Sequence, residues 1–200
     1  MSVLIRDVGE HELESVLALN NAAGPNILPL DAAGVRRFYD IASYFRVAEV
    51  DGLLAGFLVA LTPDAPYHSP NFRWFCERYE EFLYIDRIVI ASPRRGLGVG
   101  RIFYADVTSC AEVRVPWLTC EVFLEPRNDV AVLFHGTYGF QEVGQQVMPG
   151  IDRRVSLLAK SLCSFPYVRD TYLARGGLPD QPWLTRRALP QPAPQRATGT

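Results

Sequence analysis

The spacing of apolar residues along the chain predicts an alternation of short strands and helices. Residues 3 to 7 alternate apolar and polar side chains as a half-buried strand does. Gly9 separates them from a run in which Leu13, Val16, Leu17 and Asn20 fall on one helical face. Asp31 is placed to cap a second helix, along which Val35, Phe38, Tyr39 and Ala42 recur at helical spacing, with Gly34 weakening it. Two β-rich runs then flank Asp51 and Gly52, a dipeptide that tolerates positive φ and predicts a tight antiparallel hairpin. Residues 81 to 90, EFLYIDRIVI, are apolar almost throughout, which predicts a strand buried on both faces. After them come a helix over 98 to 113, a second central strand over 116 to 124, a helix over 127 to 140 closed by Gly139, and two alternating runs, 140 to 148 and 153 to 162, joined as a last hairpin by PGID. Residues 63 to 78, PDAPYHSPNFRWFCER, fit neither a clean strand nor a long helix, and long connections in compact domains often carry function.

Composition narrows the class. At 200 residues, 48% hydrophobic and 21% charged, the chain is long enough for one substantial core and short for two. We expect one domain over 1–163 and a tail over 164–200, which holds six of the fifteen prolines. The last part of that tail is expected to be disordered, while Phe165, Tyr167, Tyr172 and Trp183 could pin its earlier part to the domain. A net charge of -2 with scattered Lys and Arg gives no field for a polyanion, so nucleic acid is not an expected partner. No secretory leader pattern and no run of 18 apolar residues is present, so the expectation is a cytoplasmic protein without membrane attachment. The four cysteines form no CxxC pair; they suggest neither a metal site nor a redox dithiol and read as small buried hydrophobes.

The candidate chemistry begins at RRGLGVG, residues 94 to 100, which lies between the buried strand and a helix. Phosphate at such a turn needs exposed backbone N–H groups, no Cβ atoms in the way, and the positive end of a helix dipole behind it. Gly96, Gly98 and Gly100 provide the room, and Arg94 or Arg95 can add charge. A P-loop is disfavoured because Gly100 is followed by Arg101 and Ile102, leaving no hydroxyl for magnesium. A dinucleotide loop reads GxGxxG and usually follows the first strand, so an NAD(P)-dependent oxidoreductase ranks lower, and a plain tight connection is the bland alternative.

RRGLGVGRIFYADV resembles the R/Q-x-x-G-x-G/A pyrophosphate loop of the GNAT superfamily of N-acetyltransferases, with Arg95, Gly98 and Gly100 at the motif positions. NDVAVLFHGTYGF is similar to a second family segment, N-x-x-A-x-x-F-Y-x-x-x-G-F, through Asn128, Ala131, Phe134, Gly139 and Phe140. The resemblance covers residues 3 to 162. It implies an α/β (α+β) fold with a mixed, mostly antiparallel sheet of six to seven strands, splayed between the fourth and fifth, and helices on both faces. It also implies acetyl-CoA as cofactor, with backbone groups of Ile88, Val89 and Ile90 along the pantetheine arm. The loop Arg94, Arg95, Gly96, Leu97, Gly98, Val99, Gly100 and Arg101 would hold the pyrophosphate, with amides of Arg95 to Gly100 as donors, and Asn128 and Phe134 would lie near the cofactor. The implied activity is acetyl transfer to a primary amine of a small molecule or peptide by direct attack in a ternary complex. A CoA-binding sensor without efficient chemistry is the alternative.

One departure bears on mechanism. Where many members carry a tyrosine after the motif Phe, this chain has His135. A histidine could protonate the departing thiolate, or could equally be a helix residue bonded to a backbone carbonyl, with Tyr138 and Tyr104 in reserve. For the base, Tyr84, Asp86, Ile88 and Ile90 are expected to share one strand face, making Asp86 the first candidate and Glu121 the second. Either carboxylate could instead serve structure. Phe72, Arg73 and Trp74, with Tyr84, are candidates to contact the acceptor; the same segment could equally form a lid or the contact of a homodimer.

Overall fold

The computed structural model describes residues 2–125, 128–148, 150 and 153–180. The elements follow the predicted order. β1 (Val3–Asp7) leads to α1 (Leu13–Asn21) and α2 (Ala32–Ile41), then to the hairpin β2 (Tyr44–Val50) and β3 (Leu53–Leu61). A short helix α3 (Pro70–Cys76) precedes β4 (Leu83–Ile90), which runs into the glycine turn and α4 (Val99–Ala111). β5 (Trp117–Phe123), α5 (Asp129–Thr137), β6 (Gln141–Met148), β7 (Arg153–Ser161) and α6 (Phe165–Thr171) complete it. Local chemistry accounts for several boundaries. Asp31 caps α2 by accepting from the Gly34 amide at 2.7 Å. Asp51 and Gly52 both adopt positive φ in the β2–β3 turn. Pro70 sits in the first turn of α3, which gives the proline-rich connection a helix its composition did not announce.

The seven strands form one sheet in the order β1-β2-β3-β4-β5-β7-β6, antiparallel except for β4 beside β5. That parallel ladder is short: it joins Leu83, Tyr84 and Ile85 to Leu118, Thr119 and Cys120 and then stops, although β5 stays paired to β7 as far as Phe123. Past Ile85 the two central strands part. One apolar cluster lies on the α4 side, with Leu83, Ile85, Phe103, Tyr104 and Leu118 at its centre and Phe134 and Tyr138 of α5 packed on it. The other lies on the side of α1, α2 and α3 and contains Val16, Phe38, Phe72, Phe75, Tyr84 and Val89. A buried ion pair, Arg46 to Asp106 at 2.7 Å, shared with the Tyr44 hydroxyl, ties α4 to β2 and so fixes the helix whose N-terminus carries the glycines.

Three expectations change. Tyr84, Asp86, Ile88 and Ile90 do not share a face. A bulge against β3 makes Asp86 an extra residue between Ile85, paired with Ala60, and Arg87, paired with Val59, so the alternation inverts there. Tyr84 therefore packs on the α1–α3 side and Ile88 and Ile90 on the α4 side. Of the cysteines, Cys110 and Cys120 are buried, whereas Cys76 and Cys163 are exposed, one closing the short α3 and the other just past β7. Of the residues expected to pin the tail, Phe165 is buried while Tyr167 points to solvent; Trp183 and the expected disordered end lie outside the described residues. Among the described residues, no helix is long and apolar enough to cross a membrane.

Candidate active site

The turn between β4 and α4 leaves a run of backbone amides without internal partners. Arg94 and Arg95 direct their backbone amides to Ala91 and Ser92, at 2.8 and 3.3 Å, closing a 3-10 turn over Ser92–Arg94. From Gly96 to Arg101, no amide has a hydrogen-bond acceptor among the described residues. The open set thus starts one residue later than the sequence suggested. Gly96 and Gly98 adopt φ of +79° and +83°, and a Cβ built on either meets nothing within 4 Å. Gly98 is also the N-cap of α4, so six consecutive N–H groups without an acceptor among the described residues lie at the positive end of a 13-residue helix. A Cβ on Gly100 would stand 3.4 Å from the Phe134 ring, an ordinary van der Waals contact, so α5 already borders the third glycine.

The arginines divide their work. Arg95 donates from Nε to the Ile90 carbonyl at 3.1 Å and from Nη2 to the Ala23 carbonyl at 3.1 Å, joining the turn to the end of β4 and to the connection after α1. Arg94 and Arg101 have no side-chain hydrogen bond or ion pair among the described residues and remain available to an anion. On β4, Ala91 bonds Ala55 of β3, and Val89 and Arg87 lie in the same phase of that ladder. Ile88 and Ile90 consequently turn their backbone groups to the other edge, toward the gap left by β5.

On the α1–α3 side of the gap sits a buried polar network. Asp86 receives Arg87 Nε at 2.7 Å and the Tyr67 hydroxyl at 2.5 Å, with 5% of its side chain exposed. Across the split, Glu121 accepts the Tyr84 hydroxyl at 2.6 Å. Burial first, and then the negative charge of Asp86, push the Glu121 carboxyl up to about 7. The residue keeps partial solvent access, but protein atoms surround the carboxyl itself. Burial, followed by the neighbouring carboxylates, raises the Tyr67 and Tyr84 phenols far above their ordinary range, so both remain donors. The fully buried Asn71 amide lends Glu121 a weaker contact from beyond hydrogen-bond distance, since its Nδ2 has no partner within 3.5 Å. Its Oδ1 accepts from Gln146 at 3.0 Å.

The remaining predicted residues are placed as follows. Asn128 caps α5, accepting from the Ala131 amide at 3.2 Å. His135 is buried, with both ring nitrogens engaged: Nδ1 donates to the Ala131 carbonyl at 2.7 Å, which leaves Nε2 to accept the Tyr104 hydroxyl at 2.5 Å. Burial lowers its proton affinity, so it is neutral. Tyr138 packs on Tyr104 and Phe134, and its hydroxyl has no hydrogen-bond partner among the described residues. Phe72 stacks edge-on to Tyr84 at 5.3 Å, behind the carboxylates. Trp74 lies under the Arg78 guanidinium and against Gly144 of β6, and Arg73 is exposed. Tyr67, Asn71, Arg87 and Asn20 join the polar network around the two carboxylates although the sequence pattern gave them no role there; the available signal was Asn20, a polar residue on an apolar helical stripe. An apolar hollow of about 430 Å³, lined by Leu83, Cys110, Val115, Leu173 and Leu178, lies toward the far end of α4, away from this chemistry.

The His135 geometry carries a direct prediction. His135→Phe removes the acceptor of a fully buried phenol, which costs about 1–3 kcal/mol. The urea midpoint should fall accordingly, and an unchanged midpoint would show that the Tyr104 hydroxyl is not held by this bond.

No protein-family model and no curated protein sequence matches the chain. Solved structures do. Ard1 from Thermoplasma volcanium is similar with a TM-score of 0.65 at 18% identity, over 81% of this chain and 99% of its own. Naa50 of Arabidopsis thaliana, solved with the bisubstrate analogue CoA-Ac-MVNAL, gives 0.63 at 17% identity, over 80% and 99%. The ribosomal-protein-S18-alanine N-acetyltransferase of Escherichia coli gives 0.63 at 14%, over 80% and 94%. The chain has the fold of the GNAT N-acetyltransferases, including a seven-stranded sheet with one parallel pair at its centre.

Proposed function

We propose that this protein transfers an acetyl group from acetyl-CoA to a primary amine of a small molecule or peptide, by direct attack in a ternary complex. The observation that carries this is the run of open amides from Gly96 to Arg101 at the head of α4, beside a gap between β4 and β5 whose far side holds two carboxylates. A diphosphate fits that cradle: two positions lack any atom where a Cβ would stand, and Arg94 and Arg101 flank it. Acetyl-CoA would supply the activated acyl group as a thioester. The backbone groups of Ile88 and Ile90, turned into the gap, suit the amides of an extended arm.

Glu121 is assigned the proton from the attacking amine, because a carboxyl held near 7 is half ionised where such a base works best. Asp86 is assigned as its charged neighbour, since both of its oxygens are already taken by Arg87 and Tyr67. The donor to the leaving thiolate is assigned to Tyr138 rather than His135, whose ring nitrogens are both occupied. Tyr138→Phe should lower kcat about tenfold with the acetyl-CoA Kd unchanged, by stopped-flow and calorimetry; an unaltered kcat would remove Tyr138 from the mechanism. The neighbour solved with a peptidyl bisubstrate makes peptide amines one arm of the acceptor screen. The activity is tested by thiol release from acetyl-CoA over a panel of alkylamines and peptides. Release with at least one acceptor is expected, and saturable cofactor binding with no release from any would contradict it.

A further inference from the structure

We infer that Arg87 is a positioning residue of this site: resting on the assignment of Glu121 as base, it anchors Asp86 at the bulge and sets the charge against which Glu121 gains and loses its proton. The bulge is what makes this arrangement. In a regular strand Asp86 and Arg87 would point to opposite faces; with Asp86 inserted as the extra residue, both lie on the α1–α3 side and form a buried pair, 5% and 9% exposed. Burying two charges is costly unless each is closely bonded. Here they are. Arg87 Nε holds Asp86, its Nη1 donates to Asn20 Oδ1 at 2.8 Å and the Leu28 carbonyl at 3.3 Å, and its guanidinium lies 4.8 Å from the Phe38 ring centre. The Tyr67 hydroxyl completes Asp86 from the other side.

Among the described residues, the main groups that bear on Glu121 are few. Tyr84 from β4 and Asn71 from α3 are neutral donors, Tyr67 reaches it only electrostatically beside Asp86, and β7 offers the uncharged Leu157 across the ladder. The charged neighbours are Asp86, which makes Glu121 keep its proton, and Arg87, which opposes that effect. The two charges act on Glu121 in opposite senses. Removing the cation must raise the pH at which the last carboxyl proton leaves, and removing the Asp86 charge must lower it.

The test is the pH profile of kcat/KM for the full chain and its Arg87→Gln, Arg87→Lys, Asp86→Asn and Glu121→Gln variants, with acetyl-CoA Kd measured for each. A charge at this range moves a carboxyl by about 1–3 pH units. Arg87→Gln should shift the rising limb up by about one unit or more, Arg87→Lys should keep it close to wild type, and Asp86→Asn should shift it down, with Kd within about twofold throughout. A rate lost equally at all pH values in Arg87→Gln, with an unmoved midpoint, would overturn the inference and leave Arg87 a structural residue. Should Arg87→Gln fail to fold, the Asp86→Asn midpoint decides: no downward shift would overturn it. Persistence of the limb in Glu121→Gln would instead contradict the base assignment, which separates the two failures.

Discussion

Replacing Gly98 with tryptophan is expected to raise the acetyl-CoA Kd at least 100-fold. Charge-assisted hydrogen bonds contribute about 1.5–3 kcal/mol each, and an indole in the cradle would deny the diphosphate two or more of them. Each 1.4 kcal/mol is a factor of ten, so a loss of about 3 kcal/mol already exceeds 100-fold. Gly98 also sits at φ +83°, where any side chain is strained, and Gly98→Ala isolates that contribution because its methyl would meet no other atom. Alanine should weaken binding less than tenfold while lowering stability by about 1 kcal/mol. Equal effects of the two variants would mean that backbone strain, rather than occupied space, governs the turn. Wild-type affinity in Gly98→Trp would reduce the loop to a connector.

Glu121→Gln is expected to lower kcat about 100-fold with little change in acetyl-CoA Kd. As the proposed base, Glu121 would work only when ionised, and burial with Asp86 holds its carboxyl to about 7, so wild-type kcat/KM should climb with pH to a midpoint near 7 and then level. The variant should lack that limb. Stability provides the control. The folded state keeps this proton to a higher pH than the unfolded chain, whose carboxyl titrates near 4.5, so ionising Glu121 costs stability progressively as pH rises from about 4.5 through 7. Glutamine escapes that cost and can still accept from the Tyr84 hydroxyl. The variant should therefore melt no lower than wild type at pH 8, and the lost rate cannot be assigned to unfolding. A rate within twofold of wild type across pH would show that another group or water accepts the proton.

What the sequence revealed follows from where the physics is local. The strand into RRGLGVG, the positive-φ glycines and the helix after them are set by neighbours within a dozen residues, and the structure places them where the pattern did. The Asp51–Gly52 turn and the Asp31 cap were legible for the same reason. The polar network around Asp86 and Glu121 was not. One inserted residue at the bulge inverts every later side chain of β4, and nothing in EFLYIDRIVI marks it, because the register is fixed by pairing with β3 some thirty residues away. Arg87 meets Asn20 across 67 positions and Tyr84 meets Glu121 across 37, contacts that exist only once the sheet has assembled. For His135 the sequence leaves two readings open. Its two readings differ only in whether a partner reaches Nε2, and that partner, Tyr104, is on another helix.

The most direct test is a calorimetric titration of the full chain with acetyl-CoA, run beside NADH. One-site, saturable binding of acetyl-CoA that free CoA displaces is expected, with none for NADH. Absence of heat and of displacement at millimolar acetyl-CoA, or binding that prefers NADH, would contradict it.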